Sequence, residues 1–296
     1  GFMGSVRLVK LKDGHDPTPF ALKVMPKIVV VKKKQVVHTR QEKELLGQMN
    51  HPFIVKLFRS FQDDANLYLL MEFVNGGELF SVLQGGKRFE NDGAKFYAAE
   101  ITLALGHIHG MTVAYRDLKL ENVLLDSSGH AKLVDFGFAK VVRNRSFTMC
   151  GTPDYLAPEI IQREGHDMSV DWWAMGVLTY EMLSGHTPFR GRTHHAIYEK
   201  TLTTEPEYPT HFTKNAKAIV SRLLTKDKAR RLGAGDHGAE DVKNHRWFGS
   251  VDFDMVLRRQ YKAPFLPSVK GPDDPSMFRE YPHEEEVSTD GTSLSR

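Results

Sequence analysis

The spacing of apolar residues changes once along this chain, at Asn75-Gly76-Gly77, and that change calls for two unlike halves. Before it the pattern suits strands. Val6-Arg7-Leu8-Val9 alternates, and Phe20-Ala21-Leu22-Lys23-Val24-Met25 follows the turn Asp13-Gly14-His15-Asp16-Pro17. Phe53 to Phe61 and Leu67 to Phe73 read as two further strands. A single helix interrupts them, over residues 32 to 49, with His38, Glu42, Leu46 and Met49 on one stripe and Lys32-Lys33-Lys34 as its solvated start. Beyond the glycine pair the spacing is helical. Asn91-Asp92 can cap a helix whose Tyr97, Ile101, Leu105 and Ile108 share a face, and residues 169 to 184 and 213 to 225 read as more helices. Past residue 250 the periodicity fades. Pro264, Pro267, Pro272, Pro275 and Pro282 suit an extended tail that ends in Glu284-Glu285-Glu286 and a polar stretch. The class expected is α+β and bilobal: a small strand-rich lobe with one key helix (1–74), a larger, mainly helical lobe (75–249) and a tail (250–296).

Composition narrows the setting. Hydrophobic residues make up 41%, enough for a core in each half. The net charge of +3 comes from well-mixed residues, which points away from nucleic acid. Cys150 is the single cysteine, so no internal disulfide is possible, and a reducing compartment is expected, cytoplasmic or also nuclear. No apolar run is long enough to span a membrane. The paired His194-His195 lacks metal-site spacing.

Four polar strings stand out. In Tyr115-Arg116-Asp117-Leu118-Lys119-Leu120-Glu121-Asn122, an Asp and an Asn on one tight loop can face one point, one orienting an acceptor hydroxyl and the other holding a metal. Asp135-Phe136-Gly137 follows the strand Ala131-Lys132-Leu133-Val134, so a carboxylate stands at a strand end where Mg²⁺ can reach it. Lys23 lies inside an apolar strand and needs a partner, for which Glu42 on the next helix is suited. Ala157-Pro158-Glu159 carries a glutamate that needs a buried cation, and Arg231 is the candidate. A phosphate cation, metal ligands and a carboxylate near an acceptor hydroxyl are the parts phosphoryl transfer requires.

In this order the strings resemble the signature set of the protein kinases, over nearly the whole chain. Tyr115 before Arg116-Asp117, Asp135-Phe136-Gly137-Phe138-Ala139-Lys140, Thr148-Met149-Cys150-Gly151-Thr152-Pro153-Asp154-Tyr155-Leu156 and Asp171-Trp172-Trp173-Ala174 resemble the AGC group. The tail strings Ala263-Pro264-Phe265-Leu266-Pro267 and Lys270 to Phe278 are most similar to the cAMP-dependent kinases. Gly165-His166-Asp167 leans toward the cGMP-dependent kinases, and Leu120 toward the protein kinase B branch. A pseudokinase scaffold that binds ATP is the remaining alternative, weighed against the presence of Lys23, Asp117, Asn122 and Asp135.

The resemblance implies a Ser/Thr kinase using ATP and Mg²⁺. Asp117 would be the catalytic base, assisted by Lys119, with Lys23 on the phosphates and paired to Glu42. Asn122 and Asp135 would hold the metal. The nucleotide cradle would comprise Gly1, Gly4, Val6, Ala21, Lys23, Met71, Glu72, Val74, Glu78, Glu121, Asn122, Leu124 and Asp135, with Gly1, Gly4 and Val6 matching only part of the glycine-rich loop. For the peptide, Glu78 would read an arginine three residues before the acceptor, and Glu121 and Glu181 one two residues before it. Met149, Pro153 and Leu156 would form an apolar pocket for the residue after it. A regulatory subunit or an inhibitory pseudosubstrate is the implied partner. Ser146, Thr148 and Thr152 lie on a segment long enough to need tying down. Thr148 is the expected phosphorylation site, because Arg116, Lys140 and His38 could hold its phosphate from three different elements. By resemblance, Thr152 bonds near Asp117 and Lys119.

Overall fold

The computed structural model describes residues 4–12 and 18–278. Gly1, the turn at 13–17 and the acidic end of the tail lie outside the described residues. Four strands form an antiparallel sheet in the order β1-β2-β4-β3: β1 (Ser5–Val9), β2 (Phe20–Pro26), β3 (Leu57–Gln62) and β4 (Asn66–Glu72). Lys23 sits on the central strand β2, opposite Val6 on one side and Leu69 on the other. A central position keeps its ammonium from escaping at an edge, which makes an ion partner necessary.

Two expectations for this lobe are corrected. The helix over 32 to 49 is two helices, α1 (Lys27–Lys32) and α2 (Val36–Leu46), separated by Lys34 at φ 55°. A left-handed residue cannot continue a right-handed helix, so the three lysines end one helix and turn into the next. The β-branched run Ile28-Val29-Val30-Val31 becomes helical because Val30 drops into a small core with Met25 and Leu69; packing overrides local preference. The strand expected from Phe53 to Phe61 also divides. Its first part leaves the sheet and pairs across to the other lobe, with Val55 N donating to Leu133 O and Leu133 N to Phe53 O, each at 2.9 Å.

The larger lobe starts with α3 (Leu79–Gly86) and α4 (Asn91–Gly110). Tyr97, Ile101, Leu105 and Ile108 of α4 are all buried, as their spacing predicts. Asn91 and Asp92 lie inside the first turn and make no side-chain cap; Asn91 Oδ1 instead accepts from Trp247 Nε1 at 2.9 Å. Two short two-stranded antiparallel sheets follow, β5 (Val113–Ala114) with β8 (Lys140–Val141) and β6 (Val123–Leu125) with β7 (Ala131–Leu133). Helices α5 (Pro158–Ile161), α6 (Ser169–Ser184), α7 (His194–Thr203), α8 (Lys214–Leu223), α9 (Ala239–Lys243) and α10 (Phe253–Leu257) complete it. Every residue of α6 from Ser169 to Leu183 is buried, so this helix is enclosed on all sides and forms the lobe's axis.

The tail runs back over the hinge between the lobes. Asn75 Nδ2 donates to Gly271 O at 3.0 Å, Lys10 pairs with Asp273 at 2.5 Å, and the Phe278 ring lies 6.4 Å from that of Phe73. Among the described residues no helix is long and apolar enough to cross a membrane.

Candidate active site

The loop from Tyr115 to Asn122 turns sharply, and Arg116 takes φ 69°, a conformation costly for a side chain of its size. Asp171, in the first turn of α6, secures it. Its buried carboxylate accepts from Tyr115 N at 2.8 Å, Arg116 N at 2.7 Å and His109 Nε2 at 2.8 Å. Three donors aimed at one anion compensate for its burial and fix the backbone just before Asp117.

Asp117 is itself buried. Asn122 Nδ2 donates to its carboxylate at 2.7 Å, Lys119 Nζ lies 3.1 Å away, and the Thr152 hydroxyl bonds both Lys119 (3.0 Å) and Asp117 (3.4 Å). Burial raises the Asp117 pKa, while Lys119 and Asn122 pull against that rise. Across the cleft, Lys23 Nζ meets Glu42 Oε1 at 2.6 Å and Asp135 Oδ1 at 4.0 Å. Burial pulls the Lys23 pKa down, but Glu42 and Asp135 outweigh it and hold the pKa above the usual value. Asp135 stands just beyond β7 at φ 58°, its side chain exposed toward the cleft and its Oδ1 accepting from Gly137 N at 3.1 Å.

The cations expected around Thr148 converge, with one difference. Burial, then Arg116 and Lys140, depress the His38 pKa, so all three groups share one field. The hydroxyl between them is that of Ser146, 3.3 Å from Arg116 Nη1 and 3.2 Å from Lys140 Nζ. Thr148 is exposed and makes no hydrogen bond among the described residues.

Glu121 and Glu181 share a cleft of about 730 Å³ with Asp154 and Tyr155. Glu121 Oε2 is buried without a partner, and Glu181 accepts from the Tyr155 hydroxyl. Burial raises the Glu181 pKa to about 7; Tyr155 opposes this, while Glu121 and Asp154 add to it. Glu78 is placed elsewhere, at the start of α3, bridged to Leu124. The three residues expected to form one apolar pocket differ in burial. Met149 is exposed and Pro153 half-buried, whereas Leu156 is buried in the core, because the loop packs it down beside Gly151.

Gly4, Val6 and Ala21 lie on or beside the β1–β2 ladder, and Met71, Glu72 and Val74 run from β4 into the hinge. The Glu72 carboxylate is taken by Lys132 Nζ at 2.8 Å, a pairing between lobes that nothing local in the sequence announces. His109 and the buried Glu100, which holds His130 Nδ1 at 2.5 Å and Ala131 N at 2.7 Å, also escaped the sequence reading, and Asp171 entered it only within a motif, without a role. For Asp171 one sign was available: a carboxylate in the first turn of a largely apolar helix. Glu159 and Arg231 form the expected buried pair, bidentate at 2.7 and 2.8 Å.

A family model described as the protein kinase domain matches residues 1–248. The chain is 49% identical to the cAMP-dependent protein kinase catalytic subunit of Dictyostelium discoideum, over 97% of its own length and 44% of that protein's. It is 47% identical to the enzyme of that name from Arthrobotrys oligospora, over 98% of its length and 56% of the relative's. Against the human cAMP-dependent protein kinase catalytic subunit PRKX the identity is 48%, over 95% and 78% of the two chains. It thus spans about half the length of the first two relatives. Matched by the domain model and by relatives covering nearly its whole length, the chain belongs to the protein kinase family.

Proposed function

We propose that this chain transfers the γ-phosphoryl of ATP to Ser or Thr hydroxyls in peptides with arginines upstream, as expected of a chain so similar to cAMP-dependent catalytic subunits. The observation that carries the reading is Asp117: a buried carboxylate held by Lys119, Asn122 and Thr152 in the same electrostatic field as Asp135. Asp117 orients the acceptor hydroxyl and takes its proton. Lys119 steadies the charge that develops there, and Lys23, fixed by Glu42, binds the α- and β-phosphates. The residues fit Mg²⁺. The exposed Asp135 carboxylate and the acceptor end of the Asn122 amide, whose nitrogen is turned to Asp117, offer oxygen ligands, and hard cations of this kind fill the rest of their shell with phosphate and water. Bound there, Mg²⁺ would neutralise phosphate charge.

Gly1 (outside the described residues), Gly4, Val6, Ala21, Met71, Glu72, Val74, Glu78 and Leu124 would enclose the nucleotide, with Glu72 acting through its backbone because its carboxylate holds Lys132. Glu78 would take the arginine at position −3. The orphaned Glu121 oxygen and Glu181 would take the one at −2. Met149 and Pro153, over Leu156, would meet the residue after the acceptor. A regulatory subunit or pseudosubstrate would occupy the same cleft. Phosphate on Thr148 would draw that residue to Arg116, Lys140 and His38.

The test is transfer of labelled γ-phosphate to a peptide with arginines at −3 and −2, with and without Mg²⁺. Asp117→Asn should lower kcat by roughly a hundred- to several-thousand-fold with ATP affinity retained. Near-normal turnover would overturn the assignment. Glu121→Gln should lower kcat/KM for that peptide by about ten- to a hundredfold, and much less for one lacking the −2 arginine.

A further inference from the structure

The cleft that holds Glu121 and Glu181 has a second wall of opposite charge. Lys87 and Arg190 line it as well, and neither side chain has an ion-pair or hydrogen-bond partner among the described residues. Three carboxylates, Glu121, Asp154 and Glu181, border the same space. The two kinds of charge line one cleft without pairing.

Each cation is anchored. Lys87 closes α3 at φ 66°, and its carbonyl packs directly against Gly185, at the end of α6. That approach is open only to glycine: a Cβ on Gly185 would collide with the Lys87 carbonyl, and Gly185 itself lies at φ 83°. Arg190 follows Phe189, which is buried and stacked on Trp173 with ring centroids 5.8 Å apart, and the Arg190 carbonyl accepts from Lys200 Nζ at 2.7 Å. Both residues therefore line the cleft from anchored backbone positions.

Helix α6 serves as a ruler for the charge order. Asp171 in its first turn lies under the catalytic loop, and Ala174 borders the cavity that also contains Asp117 and Thr152. Ten residues beyond Asp171, or about 15 Å at the helical rise, comes Glu181. One turn further, about 6 Å, Gly185 brings in Lys87. From catalytic centre to cleft end, the sequence is acceptor site, acidic floor, cationic rim.

We propose that Lys87 and Arg190 form a specificity subsite for an acidic side chain of the substrate, placed upstream of the arginines. This rests on the assignment of Glu121 and Glu181 to the −2 arginine and extends it. A further 6 Å corresponds to about two residues of extended peptide, so the acidic residue begins near position −4. The preferred substrate is then dipolar along its length, and a peptide that is basic throughout is disfavoured at the rim.

The experiment uses the chain as it is and a parent peptide with arginines at −3 and −2 and neutral residues before them. Glu is moved singly through positions −4 to −8, and kcat/KM is measured at low and high salt. For two partly exposed cations, the expected gain at one or two adjacent positions is about three- to tenfold at low salt, shrinking as salt screens it. In the double variant Lys87→Glu/Arg190→Glu the preference should reverse toward Lys at those positions. Lys87→Gln/Arg190→Gln should abolish it, and Arg190→Lys should retain most of it. A flat series in the wild type, or a preference that survives charge reversal, would overturn the subsite. Loss of the −2 arginine from the parent peptide is scored separately. If that loss has no effect, the assignment of Glu121 and Glu181 fails first; if it matters while the Glu series is flat, only the rim subsite fails.

Discussion

Asp117 and Glu181 are both buried carboxylates lifted above the usual range by burial, but their neighbours give them different tasks. Asp117 has Lys119 beside it and Asn122 donating to it, which favour its anion. Glu181 has two further carboxylates in its field and sits near pH 7. In the free chain its anion therefore forms as pH rises through about 7. A guanidinium prefers that anion, so kcat/KM for a −2 arginine peptide should rise over this range, and the rise should be absent in Glu181→Gln. The stability sign runs the other way. A carboxyl whose folded pKa is raised adds stability below its unfolded pKa, and this is lost as pH rises through the folded value. Glu181→Gln should accordingly raise Tm relative to the parent more at pH 8 than at pH 5, as thermal unfolding at the two pH values would register. The pair Glu159–Arg231 is of another kind, neutralised and bidentate in the core. Arg231→Ala should cost about 3–5 kcal/mol, read by denaturant unfolding, because it strands a buried carboxylate.

Between elements, the decisive link is α6 to the catalytic loop. Asp171 holds the backbone of Tyr115 and Arg116 from 55 or more residues away, against the left-handed strain at Arg116. Asp171→Ala leaves two buried backbone donors unpaired. A loss of about 2–6 kcal/mol is expected in unfolding experiments, with a fall in kcat larger than the change in peptide KM. The second link joins α2, the catalytic loop and the segment after Asp135 through His38, Arg116 and Lys140. With Ser146 already between two of those cations and Thr148 exposed, the two hydroxyls are separable. If phosphate on Thr148 assembles the site, Thr148→Ala should lose most activity while Ser146→Ala loses little. Mass spectrometry gives occupancy, and the peptide assay gives the effect. Full activity in Thr148→Ala would refute this role.

At the scale of the molecule, the lobes are tied at several points. Val55 and Phe53 pair with Leu133, Glu72 pairs with Lys132, Gly76 N donates to Leu125 O at 2.7 Å, and the tail covers the hinge through Asn75 and Gly271. Gly76 is a tight point among these ties. A Cβ there would stand 2.5 Å from Leu125 O, 2.7 Å from Asp126 O and 2.7 Å from Pro267 Cγ. Gly76→Ala must displace either the hinge or the tail, at a cost of about 1–3 kcal/mol. Faster proteolysis of the tail and a raised KM for ATP are the expected readouts, and an unchanged profile on both would show that the hinge tolerates the shift.

By itself the sequence determined what short-range rules control. The change of period at the hinge, the span 169–184 of the axial helix and the buried stripe of Tyr97, Ile101, Leu105 and Ile108 follow from spacing within a few turns. A lysine in an apolar strand and a glutamate on the next helix pair because each would otherwise be buried charged and alone. Tertiary structure decided the rest. Whether Ile28 to Val31 coil or extend, whether Phe53 joins its own sheet or the other lobe, and which hydroxyl sits among the cations depend on which surfaces pack together. The anchors Asp171, Lys132 and Glu100 are likewise explained only by partners 30 to 62 residues away. A spacing rule reaches about as far as one helix turn, whereas burial, which sets the worth of a charge, is a property of the packed chain.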